Sequence, residues 1–480
     1  MSALGPLARR SPVDGEPQLN WDVLTEIMSY LSRANASRMA RTCRTLLQVS
    51  PRFLLTGTVT LLTTAQAISF RKFVQRPERR SSMHYFRRLS IPLLVDALTI
   101  LRRATELEWL DIGRGHIIWD GRTVDALVSL KKLRVLLIQS PTKETINLLE
   151  GMQAPLARVD ADLFAYEGSR YQNPITVFTP FNKSLEVMMI SSAQFSNSDD
   201  QVRYPNVHTL GLEESYNFPL RILGNCFPGV QNLLVSGMYS GYYENQRQRN
   251  REAQGSIECW PSLRRLAGNV AGLYALALRS NIEHLSVASS MLTPTDVPRL
   301  SSVLRDVGGL QSLYLRIKLP EFDLLHLIGT LRPVKETLGE LMLRLDYRGR
   351  NYKEVAPYLS AMIDNLAGTG FQLRALRLCV RWFYNGPPEG ESSGLDHYAI
   401  AEHAMQAFSG LREVYVEVEP AAAEFEIQST VEADGRLKRT LQSVGDEEGF
   451  VEPDTLFGND YFWPWLSVTG VDLADIRHVV

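Results

Sequence analysis

Cysteine is scarce. The 480 residues hold four, Cys43, Cys226, Cys259 and Cys379, and the closest two stand 33 apart. No C-x-x-C pairing exists, which excludes a zinc knuckle and a dithiol redox motif. So few cysteines suit a reducing compartment. Long apolar runs are missing too, so no helix is expected to span a membrane. The opening residues, MSALGPLARRSPVDGEPQLN, lack the apolar core of a secretory signal. A cytoplasmic or nuclear location is expected. Neither sign of charge dominates. Lys plus Arg number 51 and Asp plus Glu 53, which leaves no chain-wide polycation for nucleic acid or anionic lipid. The charge is uneven, however. Residues 1–110 carry 16 basic and 8 acidic side chains, and residues 111–480 carry 35 and 45. Apolar residues at 45% and charged residues at 22% exclude a mostly disordered chain.

From about residue 85 a unit recurs: apolar, two of any kind, apolar, one of any kind, apolar. It reads Phe86-x-x-Leu89-x-Ile91, then Leu107, Leu110 and Ile112, then Leu133, Leu136 and Ile138. Further anchors open at Leu185, Val207, Val230, Ile282, Leu310, Leu338, Leu373 and Leu411. Leu156-x-x-Val159-x-Ala161 and Leu263-x-x-Leu266-x-Gly268 are weak copies. The anchors average about 27 residues apart, within the leucine-rich repeat range. Three share a longer approach phrase: Tyr204-Pro205-Asn206-Val207, Phe227-Pro228-Gly229-Val230 and Trp260-Pro261-Ser262-Leu263. Helical patterns fall between anchors, as at Thr293–Val307, Glu321–Leu331, Lys353–Leu366 and Asp396–Phe408. The first two apolar positions turn inward as the chain enters a strand, and strand alternation points the third inward as well. Each buried Leu or Ile then contributes about 1.5–3 kcal/mol, provided the next coil covers it. The fold expected is α/β: an irregular leucine-rich-repeat solenoid, or horseshoe, over residues 85–420.

The N-terminal part reads differently. Residues 1–17 look like a disordered leader. In 18–56, Val23, Leu24, Ile27, Met28 and Leu31 recur at helical spacing, with Asn20 or Asp22 as cap. Asn35 is expected to cap a second helix faced by Met39, Ala40 and Cys43. A third segment, Leu46–Leu55, is expected to be broken by Pro51. Three helices in about 40 residues make too small a core to stand alone comfortably. Residues 57–84 read as a connector. Residues 421–480 read as an acidic segment, either mobile or covering the sheet edge, with Tyr461–Leu466 as a possible aromatic cap.

Leu19, Asp22, Val23, Leu24, Ile27, Leu31, Met39, Cys43 and Arg44 together resemble an F-box, in the form common among fungal adaptors that continue into leucine-rich repeats. The chain departs from that pattern at Asn20, Ala36, Thr42 and Leu46. The resemblance implies a non-enzymatic adaptor: the F-box docks on the Skp linker protein of a cullin–RING ubiquitin ligase, and the repeats capture a protein substrate. It implies linker contact by Leu19, Trp21, Val23, Leu24, Ile27, Leu31, Met39, Cys43, Arg44 and Leu46. The alternative is a repeat scaffold with no ligase link, in which these helices only cap the solenoid. For the substrate, strand alternation turns Tyr314, Arg316, Arg344, Arg377 and Tyr415 outward on the open face. The arginines would make a basic ladder suited to an acidic or phosphorylated target. Insertions Tyr239–Gln254 and Asn385–Gly394 are expected to wall that face.

Catalytic motifs are sparse. Gly390-Glu391-Ser392-Ser393-Gly394 fits G-x-S-x-G, but Pro387-Pro388 separates it from any strand, and a nucleophile elbow needs strand running straight into helix. No H-E-x-x-H, Walker loop or dinucleotide fingerprint occurs, so neither metal nor cofactor is expected. Seven Arg or Lys residues between Arg71 and Arg88 read as a solvated connector rather than a nucleic-acid patch.

Overall fold

The computed structural model describes residues 20–91, 97–114, 121–139, 143–164, 173–196, 201–215, 217–237, 243–254, 260–319, 324–347, 355–382, 396–418, 421–431 and 437–443. Among the described residues, sixteen strands form one open sheet in strict chain order. They are β1 (Val59–Thr60), β2 (Arg88–Ser90), β3 (Trp109–Arg114), β4 (Val135–Gln139), β5 (Arg158–Asp162), β6 (Val187–Ser191), β7 (Thr209–Glu213) and β8 (Asn232–Ser236). There follow β9 (Ser262–Gly268), β10 (Asn281–Leu292), β11 (Ser312–Leu319), β12 (Glu340–Tyr347), β13 (Ala375–Trp382), β14 (Glu413–Val418), β15 (Ala421–Val431) and β16 (Leu437–Ser443). Pairing is parallel from β1 to β14, and β15 and β16 fold back antiparallel.

A parallel neighbour needs a crossover, and here helices and turns on one side supply it. Strands stack about 4.8 Å apart whereas packed helices need about 8–10 Å, so the stack bends toward its strand side and the uncovered sheet face is concave. Every repeat anchor is buried, the weak copies included. Gly268 explains its own deviation. A Cβ there would lie 1.8 Å from the Val235 carbonyl oxygen, so the closeness of β8 and β9 demands glycine. The three approach phrases prove to be a stacked column. The rings of Tyr204 and Phe227 lie 5.1 Å apart, and Trp260 Nε1 donates to the Phe227 carbonyl at 2.8 Å.

The four interposed helices form at Val297–Asp306, Leu324–Leu331, Val355–Gly368 and His397–Ala407. Residues 57–84, expected as a connector, instead build a first coil. They carry β1, α4 (Thr64–Gln75, numbered after the three helices below) and a 3-10 turn at Pro77–Tyr85. The early repeat is hidden from sequence because only Val59 and Leu61 anchor it. At the other end, β15 and β16 cover the edge of β14. Arg439 ties them down by donating to the carbonyls of Met405 and Phe408, each at 2.8 Å, and of Leu411. Tyr461–Leu466 lie outside the described residues.

Before β1 come α1 (Trp21–Tyr30), α2 (Arg33–Ala40) and α3 (Arg44–Leu55). Asn20 caps α1 as expected, but Ser32 rather than Asn35 caps α2. Pro51 does not break α3. A proline orphans the carbonyl four residues back, here that of Leu47. That oxygen accepts from Ser50 Oγ at 2.8 Å and from Arg79 Nη1 at 2.9 Å. The repair also fastens the helices to the first coil, as does Arg33 Nη1 donating to the Thr58 carbonyl.

Candidate partner-docking surfaces

Two surfaces stand out. The first is α1, which carries two apolar stripes at i, i+4, i+7 spacing. Leu24, Met28 and Leu31 turn inward onto Ala36, Ala40 and Leu46. Val23, Ile27 and Tyr30 turn outward at 41%, 40% and 81% exposure, with Trp21 at 49% beside them. Leu47 of α3 is also an exposed apolar residue. A surface helix needs one apolar stripe for its own core; a second is surplus to folding. Covering what remains exposed of each side chain contributes roughly 1 kcal/mol.

The residues expected to meet a linker therefore divide. Trp21, Val23, Ile27 and Arg44 lie at the surface. Leu46 is buried, and Leu24, Leu31, Met39 and Cys43 pack partly buried against the small core. Cys43 also caps α3, its Sγ accepting from the Leu46 amide at 3.4 Å. Leu19 lies outside the described residues. Tyr30 and Leu47 belong to the exposed set and were not foreseen, although extending the Val23–Ile27 stripe by three residues finds Tyr30. Arg38, Arg41 and Arg44 are exposed, whereas Arg33 is spent on Thr58.

The second surface is the open sheet face. Register aligns Tyr314, Met342, Arg377 and Tyr415 in one row, and Arg316, Arg344, Cys379 and Glu417 in the next. The three arginines thus do not share a row, which corrects the expected ladder. Two of them are also claimed. Asp346, 1% exposed, accepts from Arg316 Nε at 2.5 Å and from Arg344 Nε at 3.3 Å. Burial pushes Tyr314 up to about 12. Burial, and then the charge of Glu417, push the Cys379 thiol up as well, so it stays protonated and unreactive. Tyr415 is buried and its hydroxyl reaches Glu417 at 3.3 Å. Arg377 alone of the three arginines is exposed.

No family model matches this chain. No curated protein matches it either. Among solved structures, one described as the crystal structure of the Rad7 and Elc1 complex in yeast is similar over 76% of this chain and 91% of that chain. Its TM-score is 0.34 and its identity 12%. That degree of likeness decides nothing about function.

The expected walls of the open face are not both there. Tyr243–Gln254 is a helix that packs among the helices on the far side. Its Arg247 lies over the Tyr274 ring at 4.1 Å and pairs with Asp306, and Asn250 Nδ2 donates to Phe218 and Ala275 carbonyls at 2.9 and 3.0 Å. Residues 385–394, with the Ser392 phrase, lie outside the described residues. The basic stretch from Arg71 to Arg88 is folded into the first coil, where Arg79 is buried and stacks on Phe73 at 5.3 Å. Among the described residues, no cluster of His, Cys, Asp and Glu could hold a metal ion, and no helix is long and apolar enough to cross a membrane.

Proposed function

We propose that the chain is a non-enzymatic adaptor of a Skp–cullin–F-box ubiquitin ligase. The α1–α3 helices dock on the Skp linker, and the open face of the solenoid receives the protein to be modified. The observation that carries this reading is the outward apolar stripe of α1, Trp21, Val23, Ile27 and Tyr30, on a helix whose inward stripe already satisfies its own core. The basic rim of Arg38, Arg41 and Arg44 would steer an acidic linker. On the solenoid, Tyr314, Arg316, Arg344, Arg377 and Tyr415 form the substrate end, with Arg377 its accessible cation. The adaptor works in the cytoplasm or nucleus, and uses no metal or cofactor.

The test is direct capture by a purified Skp linker. Val23→Asp with Ile27→Asp removes capture and leaves the helices folded, since both side chains lie outside the small core and are about 40% exposed. Leu24→Asp places a charge in the small core and loosens the helices themselves. Full capture by the folded Val23→Asp, Ile27→Asp variant would leave the repeat-scaffold alternative standing.

A further inference from the structure

The open face holds a patch that sequence reading passed over. An exposed sheet face ordinarily carries polar residues. Across β6–β9, however, Val187, Met189, Leu234 and Ala267 gather into an apolar cluster separate from the main core, all 9% exposed or less. Gly211 lies between Met189 and Leu234 in register, and a Cβ on it would stand 2.4 Å from Met189 Cε. Met189 therefore lies across the glycine and levels the patch into a platform. A thioether adapts its shape to what sits on it.

One edge of this platform is acidic. Asp160 pairs with Met189 in register, Glu213 ends β7, and Asp111 stands in the Asp160 row two strands earlier. Asp162 and Glu214 add to the same sign. Among the described residues, Arg158 lies 3.9 Å from Asp160, and Arg265 stands on the far side of the platform in register with Asn232. Burial, and then the charges of Asp160 and Glu214, push Glu213 up to about 7 against the hydrogen bond from Ser236. Burial pushes Asp160 up to about 6, with Arg158 opposing and Asp111 assisting. In both, burial and neighbouring acids outweigh the opposing groups, Arg158 at Asp160 and the Ser236 hydrogen bond at Glu213. At the platform's rim Asn232, 8% exposed, donates its Nδ2 to Thr209 Oγ1 at 3.1 Å and leaves its Oδ1 with no partner. An incoming N–H would satisfy it.

We propose that this patch binds an extended, basic–apolar peptide segment of a protein partner. An apolar side chain of the peptide lies on Met189 and Leu234, and an adjacent Lys or Arg reaches Asp160 and Glu213. Charge complementarity fixes the occupant: the platform supplies the apolar contact, and the surplus of carboxylates calls for cations. The inference deepens the adaptor reading by naming what the solenoid would hold, and its test reads the solenoid without the linker.

The measurement is fluorescence anisotropy of the full chain with three labelled nine-residue peptides, alternating Leu with Lys, Leu with Glu, and Ser with Lys. The Leu/Lys peptide binds most tightly. Asp160→Asn with Glu213→Gln, which preserve shape, weaken it about tenfold. Lowering the pH from 7.5 to 5.5 weakens wild-type binding as both acids protonate, and leaves the double variant flat. Equal affinity for the Leu/Glu peptide, no effect of the double variant, or a flat wild-type pH profile each overturn the proposal. Linker capture is scored on the same preparations. Its loss alone contradicts the adaptor reading, and loss of peptide binding alone contradicts this one.

Discussion

Arg79→Met tests how the helices are joined to the solenoid. Arg79 is 7% exposed, and its Nη1 supplies one of the two donors to the Leu47 carbonyl that Pro51 leaves open. A hydrogen bond from a charged donor is worth about 1.5–3 kcal/mol, and its stacking on Phe73 adds about 0.5–1 kcal/mol. Methionine keeps most of the stem's packing, so the loss is expected near 2–3 kcal/mol, mostly as local opening of α3. Hydrogen exchange reads this directly. Amides of residues 48–55 should exchange roughly 30- to 150-fold faster, while those of β11–β13 stay unchanged. Ser50→Ala shares the same acceptor, so the double variant should cost more than the sum of the singles. A change below about threefold in α3 would refute the argument that Arg79 repairs the proline position.

Further outcomes follow from the same geometry. Asp346→Ala strips the carboxylate from the two arginines it pairs; loss of about 3 kcal/mol, localised to β11–β13 by hydrogen exchange, is expected, with under 0.5 kcal/mol contradicting a structural role. Asp160 and Glu213 hold raised pKa values, so the native state binds more protons than the unfolded chain between about pH 4 and 7. Their contribution to stability therefore falls as pH rises through that window, and Asp160→Asn with Glu213→Gln should raise the melting temperature at pH 8 but not at pH 4. Gly268→Ala should destabilise the β8–β9 step by well over 1 kcal/mol in urea unfolding, because the new Cβ meets backbone that cannot yield.

The solenoid was legible because its anchors obey a spacing rule that burial enforces at every coil, Phe86 through Val416. The first coil was not, since β1 is two residues long and leaves no triplet to count. Helix α3 was misread at Pro51 because the repair comes from Arg79, 28 residues on, which no local pattern reports. On the open face, alternation shows in β11, where Tyr314 and Arg316 are half-buried between buried anchors, whereas Tyr415 is buried. Alternation could not give Asp346, whose two arginine partners make a buried network of what looked like a free basic ladder. The Met189–Leu234 platform was missed for a related reason: apolar residues at outward positions look like noise until register sets them side by side.

As the adaptor proposed above, the chain would hold two proteins at once on separate surfaces. Quantitative capture from cells, with the wild-type chain, the Val23→Asp, Ile27→Asp variant and an Arg377→Glu variant that spares the Asp346 network, separates them. The account predicts that Skp linker and cullin disappear from the first variant alone, and that the remaining partners disappear from the second alone. Absence of linker and cullin from the wild-type capture, or their loss on altering the open face rather than α1, would contradict it.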